Sequence, residues 1–135
     1  MTDKTPMQET VLVVEDDVLV RMPIAQYLRD CGYKVIEVAD ADEAMAVLLH
    51  SEIIVDVVFS DIEMPGSIDG FGLAKWIRDN RPGLDVLLAG TVPRAVEGAE
   101  SLCEQGPIKK PYEAQTVHNH IRRLLAARKA ANPPD

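Results

Sequence analysis

Apolar positions along the chain follow two rhythms. Val11-Leu12-Val13-Val14 and Val86-Leu87-Leu88-Ala89 are short continuous runs, the pattern of strands buried on both faces. Leu19, Met22, Ala25, Leu28 and Cys31 instead recur every three residues and stop at Gly32, which predicts a helix buried along that stripe. If this helix begins at Val18, Pro23 should kink it or shift its start. Tyr33 to Val38 alternates and is rich in β-formers, so it predicts the second strand. Asp40 followed by Glu43 is capping-box spacing and opens a helix through Leu49, with Ala44, Val47 and Leu48 inward.

A further apolar run, Val55 with Val57, Val58 and Phe59, delivers Asp61 and then meets the breaker Pro65-Gly66. A carboxylate at the end of a buried strand has no routine packing role, and that edge of an open α/β sheet is where ligands bind. Asp69-Gly70 opens a third helix with Leu73, Trp76 and Ile77 on its apolar face, ended by Arg81-Pro82-Gly83. Residues 93–104 read as a weak helix, and Pro107-Ile108-Lys109 as a short final strand. Val117, Ile121, Leu124 and Leu125 mark the last helix. Strands and helices in alternation predict an α/β fold. The expectation is a single doubly wound, five-stranded parallel sheet in the flavodoxin-like order 2-1-3-4-5, with helices on both faces. Strands one and three would then be neighbours, bringing Glu15, Asp16 and Asp61 to one crevice.

At 135 residues the chain predicts one domain, over residues 10–129, with disordered tails at 1–9 and 130–135. No apolar run approaches membrane-spanning length, and the polar start Met1 to Gln8 lacks a signal-peptide core, which points to the cytoplasm. A net charge of −8 argues against a nucleic-acid surface. Cys31 and Cys103 lack redox spacing and read as reduced, half-buried small side chains. The acidic cluster Glu15-Asp16-Asp17 with Asp61 changes the picture most. Such carboxylates repel one another unless a cation sits among them, so the acidity points to a metal ion or a lysine.

Val-Leu-Val-Val-Glu-Asp-Asp, then Ser-Asp-Ile-Glu-Met-Pro-Gly, then Lys-Pro-Tyr, together resemble the receiver domain of two-component response regulators, from about Thr10 to Ala127. The resemblance makes Asp61 the phosphoacceptor. It assigns Glu15 and Asp16 to the acidic pair that holds Mg²⁺, with the backbone carbonyl of Glu63 completing the protein ligands, and Lys110 to the phosphoryl contact. An aspartate can accept a phosphoryl group once that group is aligned and its charge neutralised, work suited to a hard divalent cation and a lysine. Asp17 reads as a solvated helix-start residue, and Lys109 as pointing away along its strand.

Two positions depart from the family. Gly90 stands where a Thr or Ser hydroxyl normally contacts the phosphoryl oxygens, with Thr91 one residue on as a substitute. Pro107 takes the place of the aromatic switch residue. The first functional reading is a stand-alone, single-domain regulator, not itself an enzyme. Asp61 would be phosphorylated by a sensor histidine kinase or histidine phosphotransfer protein, with output through a protein contact or onward transfer. The second is a receiver-like binding module that no longer switches. The third, ranked last, is a Mg²⁺-dependent phosphatase of the haloacid-dehalogenase type, which Asp61-Ile-Glu63 matches poorly. His50, His118 and His120 carry no motif, and Trp76 reads as core.

Overall fold

The computed structural model describes residues 8–90 and 112–131. Within them four strands and four helices alternate. They are β1 (Thr10–Val14), α1 (Val18–Asp30), β2 (Lys34–Val38), α2 (Ala41–Leu49), β3 (Val57–Asp61), α3 (Gly70–Asn80), β4 (Asp85–Ala89) and α4 (Ala114–Ala131). The strands form one parallel sheet in the order β2-β1-β3-β4. The four-strand order agrees with the expected one. The fifth strand and the weak helix before it were placed on segments outside the described residues, so the sheet described has four strands, not five.

Alternation within the apolar runs divides the core into two layers, because successive side chains leave opposite faces of a strand. Leu12, Val14, Val58, Val86 and Leu88 join α2 and α3 through Ala44, Leu48, Leu73, Ala74 and Ile77. Val11, Val13, Val57, Phe59, Leu87 and Ala89 join α1 and α4 through Ile24, Leu28, Val117, Ile121, Leu124 and Leu125. A sheet covered on both sides explains why its strands are continuously apolar. Each Leu, Ile or Phe removed from water here contributes roughly 1.5–3 kcal/mol.

Helix starts follow the capping chemistry. Asp17, Asp40 and Asp69 are the N-caps of α1, α2 and α3, accepting from the backbone N–H groups of Leu19, Glu43 and Gly72 at 2.9 Å each. Glu43 also reaches back to accept from Ala39 N at 2.7 Å, which closes the expected box one residue earlier than the cap itself. The last helix buries the four residues expected of it, Val117, Ile121, Leu124 and Leu125. Trp76 is partly buried against the α2/α3 layer.

The first helix differs from its expected stripe. Ile24, Ala25 and Leu28 are its buried residues, whereas Leu19 and Met22 are 81% and 58% exposed and Cys31 is also exposed. A three-residue repeat drifts around a helix of 3.6 residues per turn, so its early members leave the face held by its later ones. Pro23 lies inside the helix and does not shift its start from Val18. The residue whose carbonyl loses its helical partner to Pro23 is Leu19, on a water-exposed turn, where solvent can take the donor's place. Val47 is half-buried, and Ala41 completes the inner face of α2.

Candidate functional site: an acidic crevice at the sheet edge

β1 and β3 pair in register Val14↔Ser60, which sets Glu15 level with Asp61 just beyond the carboxyl ends of both strands. Asp16 follows in the turn to α1. One carboxylate oxygen from each of Glu15, Asp16 and Asp61 lies within 4.8 Å of the others. Glu15 and Asp61 are 2% and 4% exposed, while Asp16 opens to solvent. The crevice thus has a dry floor carrying two carboxylates and a wet rim carrying the third.

The backbone around these side chains is fixed from three directions. Glu15 N donates to Val38 O of β2 at 3.1 Å, and Asp17 N donates to Glu15 Oε2 at 3.1 Å. Ile62 N donates to Ala89 O at 2.9 Å, holding the end of β3 against β4. Gly70 N donates to Ile62 O at 2.8 Å, so the start of α3 abuts the residue after Asp61. A Cβ on Gly70 would stand 2.2 Å from Asp61 O and 2.7 Å from Ile62 Cα. Only glycine lets the two backbones approach this closely.

Of the residues expected at the site, Glu15, Asp16 and Asp61 are brought together. Glu63 lies two residues beyond Asp61 in the loop to α3, with its side chain exposed. Asp17 is the helix cap it was expected to be. Lys110, Thr91, Pro107 and Lys109 lie outside the described residues. Gly90 is buried beside Asp61: a Cβ built on it would be 3.4 Å from Asp61 Oδ1 and 3.2 Å from Ile62 Cβ. The residue next to the Asp61 carboxylate on this side therefore carries no side chain.

Sequence reasoning passed over Arg21. Its guanidinium donates from Nη1 to the Glu15 backbone carbonyl at 2.9 Å and from Nε to Glu37 Oε1 at 3.1 Å. Nothing in the local sequence marks it. The signal lies in the pairing of β1 with β2, which brings Glu37 to the side of α1.

The donor set fits a hard divalent cation. It is all oxygen and formally anionic, and its open side leaves room for retained water, the coordination that Mg²⁺ prefers. A doubly wound sheet with an acidic crevice at its carboxyl edge, between strands at the switch point, defines a class of ligand-binding α/β proteins. The chain belongs to the response regulator receiver domain family, which it matches over residues 11–122. It is 36% identical to the response regulator protein FleR of Pseudomonas aeruginosa, over 87% of this chain and 24% of FleR. It is 34% identical to the transcriptional regulatory protein PdtaR of Mycobacterium tuberculosis, over 76% of this chain and 49% of PdtaR. The chain spans about half or less of the curated relatives it matches. A CheY-like receiver domain protein from Methanospirillum hungatei superposes with a TM-score of 0.81, at 22% identity and covering 93% of this chain and all of that one. The regulator TrrA of Thermotoga maritima, solved with Mg²⁺ and BeF, superposes at 0.76, with 23% identity and 87% and 100% coverage. These two likenesses support the fold. Among the described residues no helix is long and apolar enough to cross a membrane.

Proposed function

We propose that this receiver domain accepts a phosphoryl group on Asp61 from a phosphohistidine on a sensor kinase or phosphotransfer protein. The supporting observation is the convergence of Glu15, Asp16 and Asp61 within 4.8 Å at the mouth of the sheet. In the transfer an O–P bond forms at an Asp61 carboxylate oxygen as the P–N bond to the donor imidazole breaks. The bonding pair stays on that nitrogen, and the ring, already protonated on its other nitrogen in the phosphohistidine, leaves as neutral imidazole. Glu15 and Asp16, with the Glu63 carbonyl, would hold Mg²⁺, and Lys110 would meet the phosphoryl oxygens. When bound, the cation supplies charge neutralisation for the incoming phosphoryl group. The buried Asp61 is presented in a fixed direction by β3, which provides the alignment that dominates such transfers.

Leu19 and Met22, in the first two turns of the helix that follows the acidic pair, are exposed, with Val18 43% exposed beside them. Exposed apolar side chains on the helix that leaves the acidic pair suit a protein donor better than a small metabolite. The test is intact mass after incubation with a small acyl-phosphate donor and Mg²⁺. One base-labile phosphoryl adduct is expected on the wild-type chain and none on Asp61→Asn. No adduct, or equal labelling of the two, overturns the proposal.

Gly90 favours a second reading, in which the domain is phosphorylated without the usual surface switch. No hydroxyl at that position can follow the phosphoryl oxygens. Amide shifts recorded with and without beryllofluoride separate the two readings. Changes confined to the crevice support the non-switching module, and changes spreading through residues 91–110 support the switch.

A further inference from the structure

We propose that Arg21 is a positioning residue for the acidic pair, a role that rests on the phosphoacceptor reading above. The guanidinium of α1 makes two contacts at once, one to the Glu15 carbonyl and one to Glu37 of β2. Glu37 is fixed in turn, because its other oxygen accepts from Arg29 Nη1 at 3.0 Å, and Arg29 Nη2 donates to Val35 O at 3.1 Å. The chain Arg29–Glu37–Arg21 therefore runs from the body of β2 to the backbone of the first acidic residue. Glu15 is thereby tied to β2 at both ends of its own backbone: its N–H to Val38, and its carbonyl through Arg21 to Glu37.

Burial gives the tie its strength. The Arg21 and Glu37 side chains are 19% and 23% exposed, so their charge-assisted contact is partly shielded from water. The peptide that Arg21 holds joins Glu15 to Asp16, so it sets the direction in which both carboxylates leave the chain. A small cation that demands near-octahedral oxygens loses affinity when that direction wanders. Planar guanidinium suits the task, since its fork holds two acceptors in fixed relation. An ammonium on a flexible stem cannot. Glu37, shared with Arg29, offsets part of the Arg21 charge, and Arg21 meets the acidic pair through the Glu15 backbone carbonyl, not through a carboxylate the metal would use.

The test is calorimetric titration of the full chain with Mg²⁺ alone, for wild type, Arg21→Gln and Arg21→Lys, with a thermal melt of each. Loss of partners that orient metal ligands weakens affinity about 10- to 100-fold. Both variants are expected near the lower end, about tenfold weaker. Phosphorylation by a small donor should return to the wild-type rate once Mg²⁺ is raised to saturation. Arg21→Lys keeps the stem and the charge, which guards the fold and isolates geometry from electrostatics. The proposal is overturned if Arg21→Lys binds Mg²⁺ like wild type, or if both variants melt lower with affinity unchanged. A wild-type chain that neither binds Mg²⁺ nor takes up phosphoryl overturns the phosphoacceptor reading itself, whereas the variant results bear on Arg21 alone.

Discussion

Gly90 lies against Asp61: a Cβ there would sit 3.4 Å from Oδ1 and 3.2 Å from Ile62 Cβ, so that even a methyl would press on Ile62. Its φ is 142°, in the region that L side chains rarely adopt. Restoring the hydroxyl by Gly90→Thr therefore asks the backbone to move as well. The expected cost is about 1–3 kcal/mol from conformation alone. Urea unfolding of Gly90→Thr against wild type checks it, and an equal midpoint would show that this loop tolerates a side chain. The absence of a side chain at this position is thus matched by the backbone conformation.

Gly70 is a second constraint, set against the main chain of Asp61 where Gly90 is set against its side chain. Its missing Cβ lets α3 begin against the Asp61 and Ile62 backbone, and the interfering atoms are main chain, which cannot swing aside. Gly70→Ala is expected to cost about 3 kcal/mol, the upper end for overpacking, and to shift the amide resonances of Asp61 and Ile62. A variant with wild-type stability and unmoved resonances would mean that α3 does not set the position of Asp61.

Much of this arrangement was legible in the sequence because strand patterns and carboxylates coincide. The run Val11 to Val14 ends at Glu15, and Val57 to Ser60 ends at Asp61, so strand order alone brought the acids together. What stayed hidden depends on packing between elements. The Leu19–Met22 spacing says that a helix is present but not how far its stripe rotates before Ile24 and Leu28 reach the sheet. Arg21 and Glu37 are sixteen residues apart and meet only because α1 lies beside β2. The φ of Gly90 is not written in a local pattern that also fits an ordinary strand end.

Three carboxylates with oxygens within 4.8 Å of each other repel when no cation is present. At effective dielectrics between surface and bulk water, each pair costs roughly 1–3 kcal/mol. Asp16→Asn removes one charge and is expected to raise the melting temperature in Mg²⁺-free buffer, by about 4 °C for each kcal/mol relieved. Adding Mg²⁺ at ten times its dissociation constant should stabilise the wild type by about 1.4 kcal/mol and the variant by much less. Scanning calorimetry with and without Mg²⁺ measures both. If Asp16→Asn melts lower than wild type and responds equally to Mg²⁺, the acidic cluster is not a cation site.

His118 anchors a different prediction, at the far end of α1. Its ring stands edge-on to Tyr33 and Tyr27, with centroids at 5.4 and 6.3 Å, and its Nδ1 is 3.5 Å from Cys31 Sγ. Burial, then the nearby Arg122 charge, holds its pKa below the usual histidine value of 6.5. Burial and Arg123 do the same for His120. A histidine that resists protonation only when folded binds more protons in the unfolded chain. Its contribution to stability is therefore complete above about pH 6.5 and is lost as the pH falls through the lower folded value. Urea midpoints should fall between pH 7.5 and 5.5 in the wild type. His118→Phe keeps an aromatic ring against the two tyrosines but cannot take a proton, so its midpoints should fall less over the same range. An identical slope in the variant would show that His118 titrates as freely in the folded chain as in the unfolded one.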